Sequence, residues 1–152
     1  MEAPRQIKPT KLADYLEVMT KAVFQSGISW QVVEAKWDGF LEAFAGFDPA
    51  TVAAFGGDDV DRLAEETRII RNRRKIEATV TNAETMLALD GGPGGFSGWL
   101  RSHADFDANV AALRGEFRFL GDMGAYYVLY VVGENVPTHE EWMATHPQYQ
   151  QQ

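Results

Sequence analysis

Residues 24 to 37, FQSGISWQVVEAKW, set a polar Gln25-Ser26-Gly27 step between two strongly apolar stretches, with Ile28 and Trp30 directly after it. A helix corner needs only a short turn. A glycine, a branched apolar side chain and an indole at one corner also suit the mouth of a binding pocket. A second cluster carries charge: Arg68, Arg71, Arg73, Arg74 and Lys75 fall within eight residues with no acid among them. Such a block is a local basic face, or a solvated helix start. Other chemistry is missing from the spacing. There is no GxxxxGK phosphate loop and no GxGxxG dinucleotide turn. His103, His139 and His146 are not spaced as metal ligands. Asp58-Asp59 and Glu65-Glu66 read as helix caps and solvated charge, and no nucleophile is identifiable from spacing.

The elements that must position these residues are helical. Leu12, Tyr15, Leu16, Met19, Ala22 and Val23 follow helical spacing over residues 10 to 25, and Gly27 ends that helix. Ser29 is placed to cap the next, where Trp30, Val33, Trp37, Phe40, Leu41 and Phe44 share a face. Asp48-Pro49 opens a short helix over Ala50 to Phe55, and Asp58 or Asp59 caps another through Leu63. A longer helix spans Asn72 to Leu89 with Ile76, Val80, Ala83 and Leu87 inward. DGGPGG (90 to 95) reads as a loop, Phe96 to Leu100 as a short helix, and Asp105 as the cap of a helix running to Arg114. FRFLGDMG (117 to 124) reads as a tight connection. AYYVLYVV (125 to 132) suits a buried helix or a buried strand. A last helix covers Glu140 to Ala144.

Composition sets the frame. The chain has 152 residues, 45% apolar and 12% aromatic, enough for one domain with one core. No apolar run approaches the roughly 20 residues of a membrane span, and MEAPRQIKPTK lacks the apolar core of a signal peptide. With no cysteine there is no disulfide and no thiolate metal site. A cytoplasmic protein is expected. A net charge of −8 argues against broad, non-specific nucleic-acid binding without excluding a local basic face.

QSGISW, AFAGFDPATVA and DVDRLAEETRIIRNRRKIEATVTNA resemble, in order and spacing, the DNA-3-methyladenine glycosylase I family, within the helix-hairpin-helix glycosylase superfamily. EFRFLG and the apolar run to Gly133 resemble its later helix-hairpin-helix segment. The resemblance implies an all-α, single compact multi-helix domain over residues 8–146, with flexible termini at 1–7 and 147–152, and it makes AYYVLYVV a helix. It implies hydrolysis of the N-glycosidic bond of an alkylated purine such as 3-methyladenine, after the base is taken out of the stack. The partner is double-stranded DNA with a damaged base; no cofactor and no membrane are expected, and oligomeric state is left open. The resemblance makes Trp30 the stacking aromatic of a base pocket with Ala22, Phe24 and Gln25, and puts Gly27 and Ile28 at the duplex as a wedge. Gly121, Asp122, Met123 and Gly124 match the phosphate-binding hairpin. Arg73 and Lys75 fall in the basic block, where phosphate contact, packing or capping would each account for them.

The chain departs from the family pattern in four places. The family reads its base with a Glu three residues before the Gln of its corner motif; here that position is Ala22. Glu17 lies on another face and reads as a surface residue. The family's N-terminal extension, with a pocket aromatic and zinc ligands, is not matched, so no zinc is expected. Asp122 stands where a neutral hydroxyl residue is usual, repulsive to phosphate unless it points away. An acid that would steady the sugar cation has only Glu134 or Glu140 nearby. The alternative is therefore a non-catalytic DNA-binding or protein-interaction relative that has lost the base-recognition Glu.

Overall fold

A computed structural model describes residues 3–149. Among them the chain forms ten α-helices and two 3₁₀ turns, with no strand. The helices are α1 (Leu12–Gln25), α2 (Trp30–Ala35), α3 (Trp37–Ala43), α4 (Pro49–Ala53), α5 (Gly57–Leu63), α6 (Arg73–Asp90), α7 (Gly95–Leu100), α8 (Phe106–Glu116), α9 (Asp122–Val131) and α10 (His139–Thr145). The all-helical, single-domain expectation holds.

α1 lies at the centre, against α9 on one side and α6 on the other, and α6 also carries α4 and α7. Leu16, Met19, Val23 and Phe24 are fully buried along α1. One aromatic train, Trp37–Phe47–Phe44–Phe55, stacks at centroid spacings of 5.3, 5.5 and 6.3 Å. A smaller cluster of Tyr126, Trp142 and Met143 seats α10 on α9, with the Tyr126 and Trp142 rings stacked at 4.5 Å.

Local chemistry sets the boundaries. Asp14 Oδ2 accepts from the backbone N–H of Thr10 and Lys11 and starts α1. Asp48 accepts from Thr51 N–H ahead of Pro49, and Asp105 accepts from Ala108 N–H. Four details differ from the sequence reading. Trp30 and Trp37 sit on separate helices, because the backbone breaks at Lys36 (φ −102°, ψ 4°); the turn buries Trp37 and leaves Trp30 half-exposed. Gly56, not an aspartate, occupies the cap of α5, and Asp59 reaches back to the Gly56 N–H at 3.0 Å. Leu87 is exposed, and Met86 takes the inward place. α9 starts at Asp122, so the tight connection is confined to residues 117–121.

Near the start of the described chain, Ile7 N–H donates to Val131 O at 2.8 Å and the Gln6 amide donates to Tyr130 O at 2.9 Å, laying this segment along α9. Pro147–Tyr149 forms a 3₁₀ turn. The rest of the two expected flexible ends, residues 1–2 and 150–152, lies outside the described residues. No helix among the described residues is long and apolar enough to cross a membrane.

Candidate functional site

The corner after α1 is built by a tight turn and a buried lysine. Gly27 takes φ +76°, a left-handed conformation that favours glycine, and Ile28 N–H donates back to Gln25 O. Ser29 occupies the cap position of α2, but its hydroxyl bonds Gln31 Oε1 at 2.6 Å and leaves the α2 backbone alone. The last carbonyls of α1 have no partner within their own helix. Lys75, near the start of α6, supplies one. Its ammonium donates to Phe24 O at 3.3 Å and to Ser26 O at 2.5 Å, and burial pushes its pKa down. Direct phosphate contact by Lys75 is thereby corrected: only 5% of its surface is exposed, and its charge is turned inward onto the corner.

Beside this corner is a cavity of about 150 Å³, the size that holds one flat aromatic guest. Ala22, Gln25, Gly27, Ile28 and Trp30 form one wall. Phe119, Gly121, Met123, Gly124, Tyr126 and Tyr127 form the other, and His139 of α10 also lines it. The walls meet where helices come close. A Cβ on Gly124 would lie 2.9 Å from Leu120 Cδ1 and 3.7 Å from the Ala22 Cβ, so small residues on α1 and α9 set the width of the floor. Phe24 does not line the cavity. It is one helical step from the pocket-facing side chains, fully buried, and packs edge-on to Phe40 at 4.7 Å.

The pocket is polar in places but uncharged. Burial raises the Tyr126 phenol to about 12, helped by Tyr130 and Glu141, and its hydroxyl donates to Pro137 O at 2.9 Å. Burial raises Tyr127 further and the Glu34 charge adds to the shift; the Gln25 side chain opposes it. Even so, the Gln25 amide nitrogen makes no hydrogen bond of good geometry, and the same holds for His139 Nε2; both are buried without a partner among the described residues. Burial also lowers the His139 pKa, which favours the neutral imidazole.

The acids are engaged elsewhere. Glu17 accepts from the Trp37 indole N–H at 2.8 Å, a structural role rather than a loose surface one. Glu134 is held by Arg101 at 3.0 Å, and Glu140 is exposed. Asp122 pairs with Arg114 at 2.7 Å, and Arg73 with Asp61 at 2.6 Å. No group of three or more His, Cys, Asp or Glu among the described residues could hold a metal ion. With no cysteine, the residues present do not fit a cysteine–histidine zinc site.

The structure thus brings Ala22, Gln25, Gly27, Ile28, Trp30, Gly121, Met123 and Gly124 to one cavity, while Phe24, Arg73, Lys75 and Asp122 lie outside its walls. Sequence reasoning missed Phe119, Tyr126, Tyr127 and His139. Met123, Tyr126 and Tyr127 carry a usable signal, since their spacing puts them on one helical face. His139 carries none, because it reaches the pocket only through the packing of α10 on α9.

Residues 9–119 match the family described as methyladenine glycosylase. The chain belongs to the methyladenine glycosylase family. Among curated members of that family, the DNA-3-methyladenine glycosylase 1 of Escherichia coli (strain K12) is 41% identical over 66 residues, 43% of this chain. That alignment spans 35% of the length of the relative. A crystal structure of 3-methyladenine DNA glycosylase I superposes with a TM-score of 0.72 at 28% identity, over 84% of this chain and 81% of that one. A variant of 3-methyladenine DNA glycosylase I, solved in complex with 3-methyladenine, superposes at 0.74 over 85% of this chain and 81% of that one. At 24% identity, that likeness is one of fold.

Proposed function

We propose that this protein is a DNA glycosylase of the helix-hairpin-helix type, hydrolysing the N-glycosidic bond of an alkylated purine such as 3-methyladenine in double-stranded DNA. One observation carries the reading. In a chain of the methyladenine glycosylase family, an apolar cavity of aromatic-guest size opens between the Gly27 corner and the start of α9, with the Trp30 ring in its wall. A base turned out of the duplex enters there and stacks on Trp30. Ile28 and Phe119 are the apolar lips, placed to fill the gap in the stack. α8, the 117–121 connection and α9 form the hairpin. The first backbone N–H groups of α9 have no intrahelical acceptor and face a strand phosphate. Asp122 does not spoil this site, because Arg114 neutralises it. Water attacks the sugar as the base departs, and no side chain is assigned as its activator. The reaction needs no cofactor, and the site of action is the cytoplasm.

A second reading is a DNA-binding relative without catalysis, favoured by Ala22, which leaves the cavity without a carboxylate. A single experiment separates the two. Labelled methylated duplex is titrated with the protein, and the same mixture is assayed for free base. The glycosylase reading expects release that is lost in Trp30→Ala while duplex binding persists. Binding with no release at enzyme excess would establish the second reading.

A further inference from the structure

We infer that Asn82 is a positioning residue for the contact with damaged DNA. From α6 it grips the backbone beneath Phe119, so that the ring stands ready to enter the gap that a turned-out base leaves in the duplex. The inference deepens the reading of the cavity as a base pocket and rests on it.

Asn82 is a polar side chain in an apolar setting, with 1% of its surface exposed. A buried amide is costly unless its donor and acceptor are both used. Asn82 spends both on one residue 36 positions later. Its Nδ2 donates to Arg118 O at 3.2 Å, and its Oδ1 accepts from Arg118 N–H at 2.8 Å. The carbonyl so held belongs to the peptide that joins Arg118 to Phe119. Phe117 and Leu120 are buried on either side, and the tip formed by Arg118 and Phe119 meets solvent.

Phe119 lines both the cavity and the open groove beside it, where Ser26, Arg114 and Gly115 also lie, so the ring is a partition between the two. It holds φ +58°. A left-handed φ on an aromatic residue persists only where the surroundings impose it. Burial of the ring does not impose it, since 42% of the residue is exposed. The two-point grip of Asn82 is the constraint in place. A wedge whose direction is set before DNA arrives loses less freedom on insertion. Asn82 itself lines neither the cavity nor the groove, so its effect on DNA runs through the 117–121 connection.

The test compares two labelled duplexes by fluorescence anisotropy, one intact and one carrying a tetrahydrofuran abasic site, whose gap is open to a wedge. The wild-type protein is expected to prefer the abasic duplex. Asn82→Ala should cut that preference about fivefold, Phe119→Gly by a similar factor, and the double variant by no more than either; independent effects would multiply to about 25-fold. Calorimetric titration with free 3-methyladenine is a readout that needs no wedge. Asn82→Ala should weaken it far less than it weakens binding of the abasic duplex, whereas a general loosening of the fold would weaken both. If Asn82→Ala does not fold, Asn82→Asp, which keeps the acceptor and loses the donor, takes its place in the same cycle. No wild-type preference for the abasic duplex, an Asn82 variant that keeps the preference, losses that multiply, or an equal fall in free-base binding would each overturn the inference. Release of base from methylated duplex is scored separately. Its absence would remove the glycosylase reading, while the ratio between the two duplexes still judges this one.

Discussion

Phe119 is held at φ +58° with 42% of its surface exposed, at the lip of the cavity. A left-handed conformation costs a non-glycine residue roughly 1–2 kcal/mol, and an exposed aromatic ring recovers little of that by packing. Such strain persists where the site uses it. Replacement by glycine removes both the strain and the ring. Phe119→Gly should therefore leave the unfolding free energy unchanged or raise it by up to about 1 kcal/mol, while affinity for damaged duplex falls several-fold. Urea denaturation and a duplex titration check the two halves; a parallel loss of stability and binding would make Phe119 an ordinary packing residue. Lys75 behaves in the opposite way. Its charge was visible in the basic block, but its direction was not, because a sequence does not tell which carbonyls lie over a helix start. Lys75→Met leaves the carbonyls of Phe24 and Ser26 without their donor, so stability should drop by about 1–3 kcal/mol. The midpoint of urea unfolding measures it. An unchanged midpoint would mean that water replaces the ammonium and that the corner does not depend on it.

At the scale of elements, close approach matters more than propensity. Gly39 in α3 lies against the backbone of residue 68: a Cβ there would sit 2.3 Å from Arg68 O and 2.7 Å from Arg68 Cβ. Backbone cannot move aside as a flexible side chain can, so Gly39→Ala should cost about 1–3 kcal/mol by overpacking. Thermal unfolding tests this, and the preference between damaged duplexes should stay as it is, since α3 does not line the cavity. The same physics decides what could be read from the sequence. α1 and α6 were legible because each has one buried and one wet face, and α6 also has Asn72 as a capping residue in front. α9 was not legible from periodicity: Ala125 through Leu129 are all buried, so no polar face marks the helical period, and only the resemblance made it a helix. The break between α2 and α3 at Lys36 carries no glycine or proline to announce it. The corner half of the pocket was legible as a cluster around Trp30. The other half was not, because Phe119, Tyr126, Tyr127 and His139 meet the corner only through tertiary packing of α9 on α1 and α10 on α9.

For the whole molecule the question is how a chain of net charge −8 approaches DNA. The cations differ in how free they are. Arg68 is shared between Glu42 and Glu66, Arg73 is bound to Asp61, and Arg114 to Asp122. Arg71 and Arg74 are exposed and make no ion pair among the described residues. They flank the start of α6, whose Lys75 touches the carbonyl of Ser26, so they stand next to the corner that carries the cavity. On the proposed glycosylase reading, the acidic remainder would repel the duplex and favour this one orientation. Each phosphate neutralised contributes about −0.9 to the slope of log affinity against log salt. With few free cations near the cavity, the slope for damaged duplex should be shallow, on the order of −2 to −4. Arg71→Ala with Arg74→Ala should flatten it by about 1 to 2, whereas Arg73→Ala should change it less, since Asp61 already competes for that guanidinium. Titrations of labelled duplex at several salt concentrations decide the matter. Equal effects of the Arg73 variant and the double variant would show that the ion pair with Asp61 opens on binding, and would place the DNA backbone across the α5–α6 junction.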